Sequence, residues 1–502
     1  MTAKPIMVIR APVTTRSGYG DMSRDIVRHL INLDKWEIHV VSCMWGQTPT
    51  NALNETNHKD KMILDHILKN QKLPRQPEIF ISITVPNEFQ PAGRYNIGIT
   101  AGIETTACSP EWIQGMNRMD LILTISEHSK KVLESTIYNA KDQNTGAMLP
   151  PLKLVKPIEI LHNCIDTGIF HKTRPTELEP LVEDLMVSVK EKFCFLFVGH
   201  WLSGNLGADR KDVGMLVKVF LEVFRRTPKD KRPALILKSS GAGFSVLDRE
   251  QILQKLEAVK NSMPSKNLPN VYLLHGELTE SEMNSLYNHP KIKAHVSFTK
   301  GEGFGRPLLE ACMSEKPIIV SGWSGQLDFL NVDEAILLGG KLVVVDASAV
   351  WQGVINEGTQ WFQVDYNNAA NVLMHVWKNY DTVRNRGIKL ARKNAEAFNF
   401  AAIQQRTDAL MTKYLPPFKV PEQLNLVLPS LPSLRKITTK TELPKLQKLT
   451  IKKEQEERVA EKHDMLIPIG VEAQAQKGVE ASKPESQPAD EAIAREGEEV
   501  NG

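Results

Sequence analysis

The string Gly301-Glu302-Gly303-Phe304-Gly305-Arg306-Pro307-Leu308-Leu309-Glu310 brings together three glycines, a proline and two carboxylates. A strand-like apolar run at 294–298 precedes it, and Pro307 stands where a helix would begin, a position that tolerates a missing N–H. Glycines let the backbone approach a ligand closely. The unpaired N–H groups and positive dipole end of the helix then suit an anion such as a diphosphate. Glu302 lies before the helix and Glu310 inside it, so both carboxylates flank one helix end at different depths. Carboxylates bind hydroxyl-rich ligands through charge-assisted hydrogen bonds. The same residues also describe a plain turn with a Glu favoured by the dipole, and glycines alone do not separate the two.

Three cations could face an anion held there. Arg210 and Lys211 lie in a loop before a helix pattern at 213–226, and Lys238 closes the strand-like run 234–238. Cations aimed at a departing diphosphate stabilise the charge that develops on it, although a single Lys or Arg is usually a solvated charge. Arg306 reads as a surface residue at a helix start. Near the beginning of the chain, Arg16-Ser17-Gly18-Tyr19-Gly20 follows the run 6–10. Its Gly18 and Gly20 form either a second ligand loop or a tight turn. In the block 96–112, Glu104 is a candidate cleft carboxylate beside ordinary loop chemistry, and His128 reads as a helix-start residue.

Two series of short apolar runs and amphipathic helices position these residues. The first has strand-like runs at 6–10, 37–42, 79–84, 96–100 and 121–125, with helix patterns at 21–33, 59–69 and 127–138. The second has runs at 193–198, 234–238, 271–274, 294–298, 318–321 and 342–345, with helix patterns at 213–226, 249–261, 280–287 and 307–313. Such alternation predicts parallel sheets covered on both faces. Ligands of these sheets bind beyond the C-terminal strand ends, so the expectation is an α/β protein with two doubly wound, Rossmann-like domains facing across a cleft. The expected boundaries are 1–160 for the first domain and 161–398 for the second, which carries the glycine string. A helix at 399–416, ended by Pro416-Pro417, is expected to pack back toward the first domain. Beyond it, residues 452–502 hold 7 Lys and Arg against 13 Asp and Glu and no aromatic side chain. A segment of that composition cannot offset its ordering entropy, and 417–502 is expected to be disordered.

With 41% hydrophobic and 24% charged residues and a net charge of +3, the chain has the composition of a soluble globular protein and no signature of nucleic-acid binding. Its five cysteines have no metal-like spacing and read as reduced thiols of a cytoplasmic protein. Signal-peptide order and long apolar runs are absent from the sequence, which leaves peripheral membrane contact open.

The string Glu302-Gly-Phe-Gly-Arg-Pro-Leu-Leu-Glu310-Ala resembles the EGFG-x-P-x-x-E-A signature of the retaining glycosyltransferases of family four (group 1), which have the GT-B fold. Cys312-Met-Ser-Glu-Lys-Pro-Ile-Ile-Val-Ser321 resembles the family's AMA-x-G-x-P-V-I-x-S, with Glu315-Lys316 where glycine is usual. His162-Asn-Cys-Ile-Asp166 with Phe170 resembles the interdomain P-N-G-V-D-x-x-x-F, and Arg210-Lys211 resembles the family's Arg/Lys pair. The block Asp120-Leu-Ile-Leu-Thr-Ile-Ser-Glu-His-Ser129 is similar to D-x-I-x-x-x-S-x-x-S, while the histidine common after the preceding strand is missing and Glu104 occupies that region. The resemblance implies transfer from a UDP-, GDP- or ADP-sugar with retention at the anomeric carbon and with no metal or other cofactor. Glu302 would meet the transferred sugar and Glu310 the ribose. Main-chain groups of Gly303, Phe304 and Gly305 would hold the diphosphate, and Gly18 and Gly20 would lie near it. The acceptor, whether glycan, lipid, protein or nucleobase, is not specified. A nucleotide-sugar epimerase of the same fold and a non-catalytic carbohydrate-binding or assembly protein are the rival readings.

Overall fold

The computed structural model describes residues 4–418 except 47, 70–71, 74, 140–146, 242–244 and 266. The expected disordered tail therefore lies outside the described residues from 419 onward. Phe418, assigned to that tail from the sequence, is instead partly buried against the core.

The first sheet contains β1 (Ile6–Ala11), β2 (Glu37–Ser42), β3 (Ile79–Ile83), β4 (Tyr95–Thr100), β5 (Leu121–Thr124) and β6 (Ile158–Ile160), in the spatial order β2-β1-β3-β4-β5-β6. Every pairing is parallel, and α1 (Gly18–Leu33), α2 (His58–Leu64), α3 (Pro110–Asn117) and α4 (Glu127–Ser135) make the crossovers. β3 is buried at all of its positions and β1 at nearly all, as a sheet covered on both faces requires.

The second sheet, with order β12-β11-β10-β7-β8-β9, is also parallel. Its strands are β7 (Cys194–Val198), β8 (Ala234–Lys238), β9 (Val271–Leu274), β10 (Ile292–Ser297), β11 (Ile318–Ser321) and β12 (Ile336–Leu338). Around it lie α5 (Pro180–Val187), α6 (Val213–Phe224), α7 (Val246–Asn261), α8 (Glu280–Asn288) and α9 (Arg306–Cys312). The sequence pattern placed a sixth strand of this sheet at 342–345, and the structure corrects that. β13 (Gly340–Val344) pairs antiparallel with β14 (Gln360–Val364) in a separate ribbon, while the short β12 completes the parallel sheet. β13 is exposed along most of its length, so its apolar letters never marked a buried strand.

Two further helices, α10 (Tyr366–Lys378) and α11 (Tyr380–Ala397), close the second half. The final helix α12 (Phe400–Tyr414) packs on α1. His29 of α1 faces Phe400 with ring centroids 4.3 Å apart, and Lys413 and Tyr414 of α12 both bond Glu159 of β6. The two chain crossings between the halves run side by side, with the Ile165 N–H donating to the Phe398 carbonyl at 2.7 Å. One continuous cluster of buried side chains reaches from β1 and α1 through Phe170, Phe304 and Phe398 to β10 and β11. The expected core thiols are present: Cys108, Cys164, Cys194 and Cys312 are buried and Cys43 is half-buried.

Candidate functional site

The glycine string forms the turn between β10 and α9. Gly305 caps the helix at φ 93°, a left-handed conformation that favours glycine. The other glycines serve close packing. A Cβ on Gly301 would overlap the Glu104 carbonyl, one on Gly303 the Ala101 carbonyl, and one on Gly325 the Gly303 carbonyl. At Gly301 and Gly303, main chain of the second half meets main chain of the first in a seam, while Gly325 packs the turn against the loop after β11. The Glu302 N–H donates to Ser324 Oγ at 2.9 Å and its carbonyl accepts from the Gly325 N–H at 3.0 Å. Ser324 sits at φ 76° to do so.

Four charged side chains converge on this turn. Lys211 Nζ donates to Glu302 Oε1, and Arg210 donates to Glu104 Oε1 at 2.9 Å and to the Gly301 carbonyl at 3.4 Å. Arg210 also lies 3.8 Å from Glu302. Glu302 is only 7% exposed. Burial alone would raise its carboxyl pKa, but Lys211 and Arg210 outweigh that and hold it below the usual carboxylate range. Arg210 is thus shared between a carboxylate of each half. Its loop is held by the Lys300 N–H donating to the Arg210 carbonyl at 2.8 Å. Lys300, 1% exposed, pairs with Asp212 at 3.2 Å beneath the loop, and Tyr366 donates to the same carboxylate at 2.7 Å. Burial pushes Asp212 up to about 7.

Glu310 belongs to a second cluster. Arg306 Nε donates to it at 3.1 Å and the Tyr287 hydroxyl at 3.3 Å. Burial pushes its pKa up to about 7 against the pull of Arg306. Arg306 is not the surface residue expected from the sequence. Its guanidinium is largely buried and crosses the seam to Asp25 of α1 at 3.0 Å, with Glu280 3.7 Å away. A helix-start position says nothing about what packs over it, and here α1 of the other half does.

Gly18 and Gly20 are also corrected: they lie in the first turn of α1, not in a loop before it. Ser17 caps that turn by accepting from the Gly20 N–H at 3.0 Å. A Cβ on Gly20 would overlap the Thr15 carbonyl, whereas one on Gly18 meets nothing within 4 Å. Lys238 is not in the Glu302 cluster; its Nζ donates to the Gly276 carbonyl at 2.7 Å. Phe304 is buried, with Phe329 5.0 Å and His162 5.9 Å from its ring, so only its main chain is available at the turn. His128, near the start of α4, packs on Trp323 across the seam at 4.6 Å, and burial lowers it to about 4. Sequence reading missed Ser324, Tyr287, Asp25 and Tyr19. Of these only Ser324, within Gly322-Trp-Ser-Gly325, carries a local turn signal. Among the described residues no group of three or more His, Cys, Asp or Glu could hold a metal ion, and no helix is long and apolar enough to cross a membrane.

Residues 215–346 match the family model described as glycosyl transferases group 1. This segment includes the whole glycine string, Glu302 and Glu310. No curated protein matches the chain in sequence. Among solved structures, Anabaena HepE in complex with UDP and glucose is 13% identical, with a TM-score of 0.52 over 82% of this chain and 100% of that one. Sucrose-phosphate synthase from Thermosynechococcus elongatus is 12% identical, with a TM-score of 0.53 over 82% and 98%. A UDP-forming trehalose-phosphate synthase from Burkholderia xenovorans is 11% identical, with a TM-score of 0.53 over 82% and 100%. At these identities the likeness is one of fold: two parallel six-stranded sheets in the GT-B arrangement.

Proposed function

We propose that this chain, which carries a group 1 glycosyl transferase domain at residues 215–346, transfers a sugar from a nucleoside-diphosphate donor to an acceptor with retention at the anomeric carbon. The observation that carries the reading is the turn between β10 and α9, where Arg210 and Lys211 converge on Glu302 at a helix N-terminus. In the donor complex the diphosphate lies at this helix end and takes over the two cations. Glu302 is then released to accept hydrogen bonds from hydroxyls of the transferred sugar. As the glycosidic bond breaks, negative charge grows on the leaving diphosphate, and Arg210, Lys211 and the free N–H groups of the turn stabilise it. Glu310, one turn deeper on α9, accepts from the ribose hydroxyls in place of Arg306 and Tyr287. The leaving phosphate helps to deprotonate the acceptor on the same face, so no protein nucleophile is needed. Glu104, which reaches the cluster from the first half through Arg210, sets the position of that guanidinium. The solved relatives in complex with UDP or UDP-glucose favour a UDP-sugar over a GDP- or ADP-sugar, and a cytoplasmic location fits the reduced thiols.

The test is release of nucleoside diphosphate from a panel of UDP-, GDP- and ADP-sugars, with thermal stabilisation by each nucleotide measured alongside. One donor should be turned over and its nucleotide should raise the melting temperature. No turnover and no stabilisation by any nucleotide would refute the reading. Alteration of the donor with no acceptor present would point to an epimerase.

A further inference from the structure

The first half carries an aromatic pair that the donor chemistry does not use. Tyr19, in the first turn of α1, stacks on Trp45, in the loop after β2, with ring centroids 4.0 Å apart and planes 29° from parallel. Both rings are partly exposed, and the neighbouring Met44 is 68% exposed. Both rings lie beyond the C-terminal ends of β1 and β2, the edge at which ligands of parallel sheets bind. The Tyr19 hydroxyl accepts from the Ala101 N–H at 3.0 Å and bonds Thr100 Oγ1 at 3.0 Å. Ala101 is the residue whose carbonyl packs against Gly303 of the donor turn. The stacked pair is therefore tied through one residue to the site of transfer. Beside it, Arg10 and Glu88 form a loose pair at 3.5 Å, each side chain at least one-third exposed. Arg10 lies near the C-terminal end of β1 and Glu88 in the turn after β3, so this pair stands at the same edge of the sheet.

We infer that Trp45, backed by Tyr19, is the platform on which the acceptor rests, and that the acceptor is a saccharide. The inference rests on the donor reading above. A pyranose ring presents a face of polarised C–H groups that suits the negative face of an indole, while its hydroxyls need the donors and acceptors that Arg10 and Glu88 hold in reserve. A lipid chain would need a continuous apolar track, and the platform is flanked by charged residues instead. Tyr19 fixes the height of Trp45 because its own hydroxyl is anchored to β4 and to Ala101. A saccharide stacked there has one hydroxyl edge turned toward the seam where the donor turn lies.

The experiment uses the full chain with the donor that the release assay identifies and a panel of free mono- to tetrasaccharides as acceptors. At least one saccharide should stimulate nucleotide release. Trp45→Ala should raise the KM for that saccharide roughly tenfold or more, and Trp45→Phe should recover most of the loss. Stabilisation of Trp45→Ala by the nucleotide should persist, which shows that the protein is folded. The inference is overturned if no saccharide stimulates release, if a lipid alcohol, peptide or oligonucleotide does so instead, or if Trp45→Ala leaves the saccharide KM unchanged. If no nucleotide stabilises even the wild-type protein, the donor reading itself fails, and the acceptor platform falls with it.

Discussion

Glu302→Gln removes the charge that Lys211 and Arg210 share while keeping the side chain's shape. At an effective dielectric of about 20, the 3.8 Å separation of Arg210 and Glu302 corresponds to about 4 kcal/mol of attraction, and the Lys211 contact is closer. Arg210 keeps Glu104 at 2.9 Å, but Lys211 is left buried without its carboxylate. Breaking a buried pair from one side costs about 3–5 kcal/mol. At about 2–4 °C per kcal/mol, the melting temperature should fall by roughly 10 °C. The double variant Glu302→Gln/Lys211→Met should recover most of that loss, because no unpaired charge remains. The nucleotide should act in the opposite sense. With Glu302 neutral, Lys211 is free for a diphosphate and Arg210 is held by Glu104 alone, so UDP should raise the melting temperature of Glu302→Gln by more than it raises that of the wild type. Turnover should nevertheless fall by about 10²-fold, because the sugar loses its carboxylate. Scanning fluorimetry with and without UDP and chromatographic assay of released nucleotide measure both effects. A variant that melts within about 1 °C of wild type and turns over normally would show that the pair is solvated and that the reasoning is wrong.

Four further outcomes are expected. Arg306→Met strands Glu280 and Glu310 without their cation and leaves Asp25 with Arg28 alone. Glu310 is already raised to about 7 and rises further, so the variant's deficit in melting temperature should be larger at pH 8 than at pH 5.5. His29, buried between α1 and α12, has its pKa lowered to about 4 by burial. Its contribution is therefore complete above the unfolded value near 6.5 and is lost as pH falls toward about 4, by about 3 kcal/mol in all. His29→Phe should flatten that part of the acid limb in pH-dependent denaturation. Gly303→Ala forces a Cβ into the Ala101 carbonyl and should lower both melting temperature and turnover by prising the seam apart. Gly18→Ala, with open space around it, should stabilise the fold slightly by helix propensity alone, by up to about 1 kcal/mol, read as a small rise in melting temperature.

The parallel strands were readable because full burial writes near-continuous apolar runs, as in Ile79–Ile83 and Cys194–Val198. The same rule misled at 342–345, where alternating exposure in a two-stranded ribbon gave the apolar letters of a core strand. α10 and α11 escaped notice because no strand follows them to mark an alternation. The turn between β10 and α9 was legible because its signals are local: glycines, a helix start and carboxylates within one stretch of chain. Arg306 was misread for the complementary reason. Its partner Asp25 is distant in sequence, and nothing near Arg306 announces a helix from the other half of the molecule. Tyr19 stands between two glycines that carry the local turn signal, and its stacking on Trp45 depends on a loop after a different strand.

The seam at Gly301 and Gly303 joins the halves through main-chain atoms of Glu104 and Ala101, whose positions do not depend on side-chain identity. Side-chain pairs such as Arg210 with Glu104 and Arg306 with Asp25 are added on top of that contact. For protein engineering, this makes the junction modular. The segment spanning β1 to β6 could be exchanged for another, provided that the loops at Ala101 and Glu104 keep their backbone course and that the faces of α1 and β6 covered by α12 are retained. The relative placement of the two sheets at that contact would then be inherited from the peptide skeleton, and side chains on either side could be redesigned without rebuilding it.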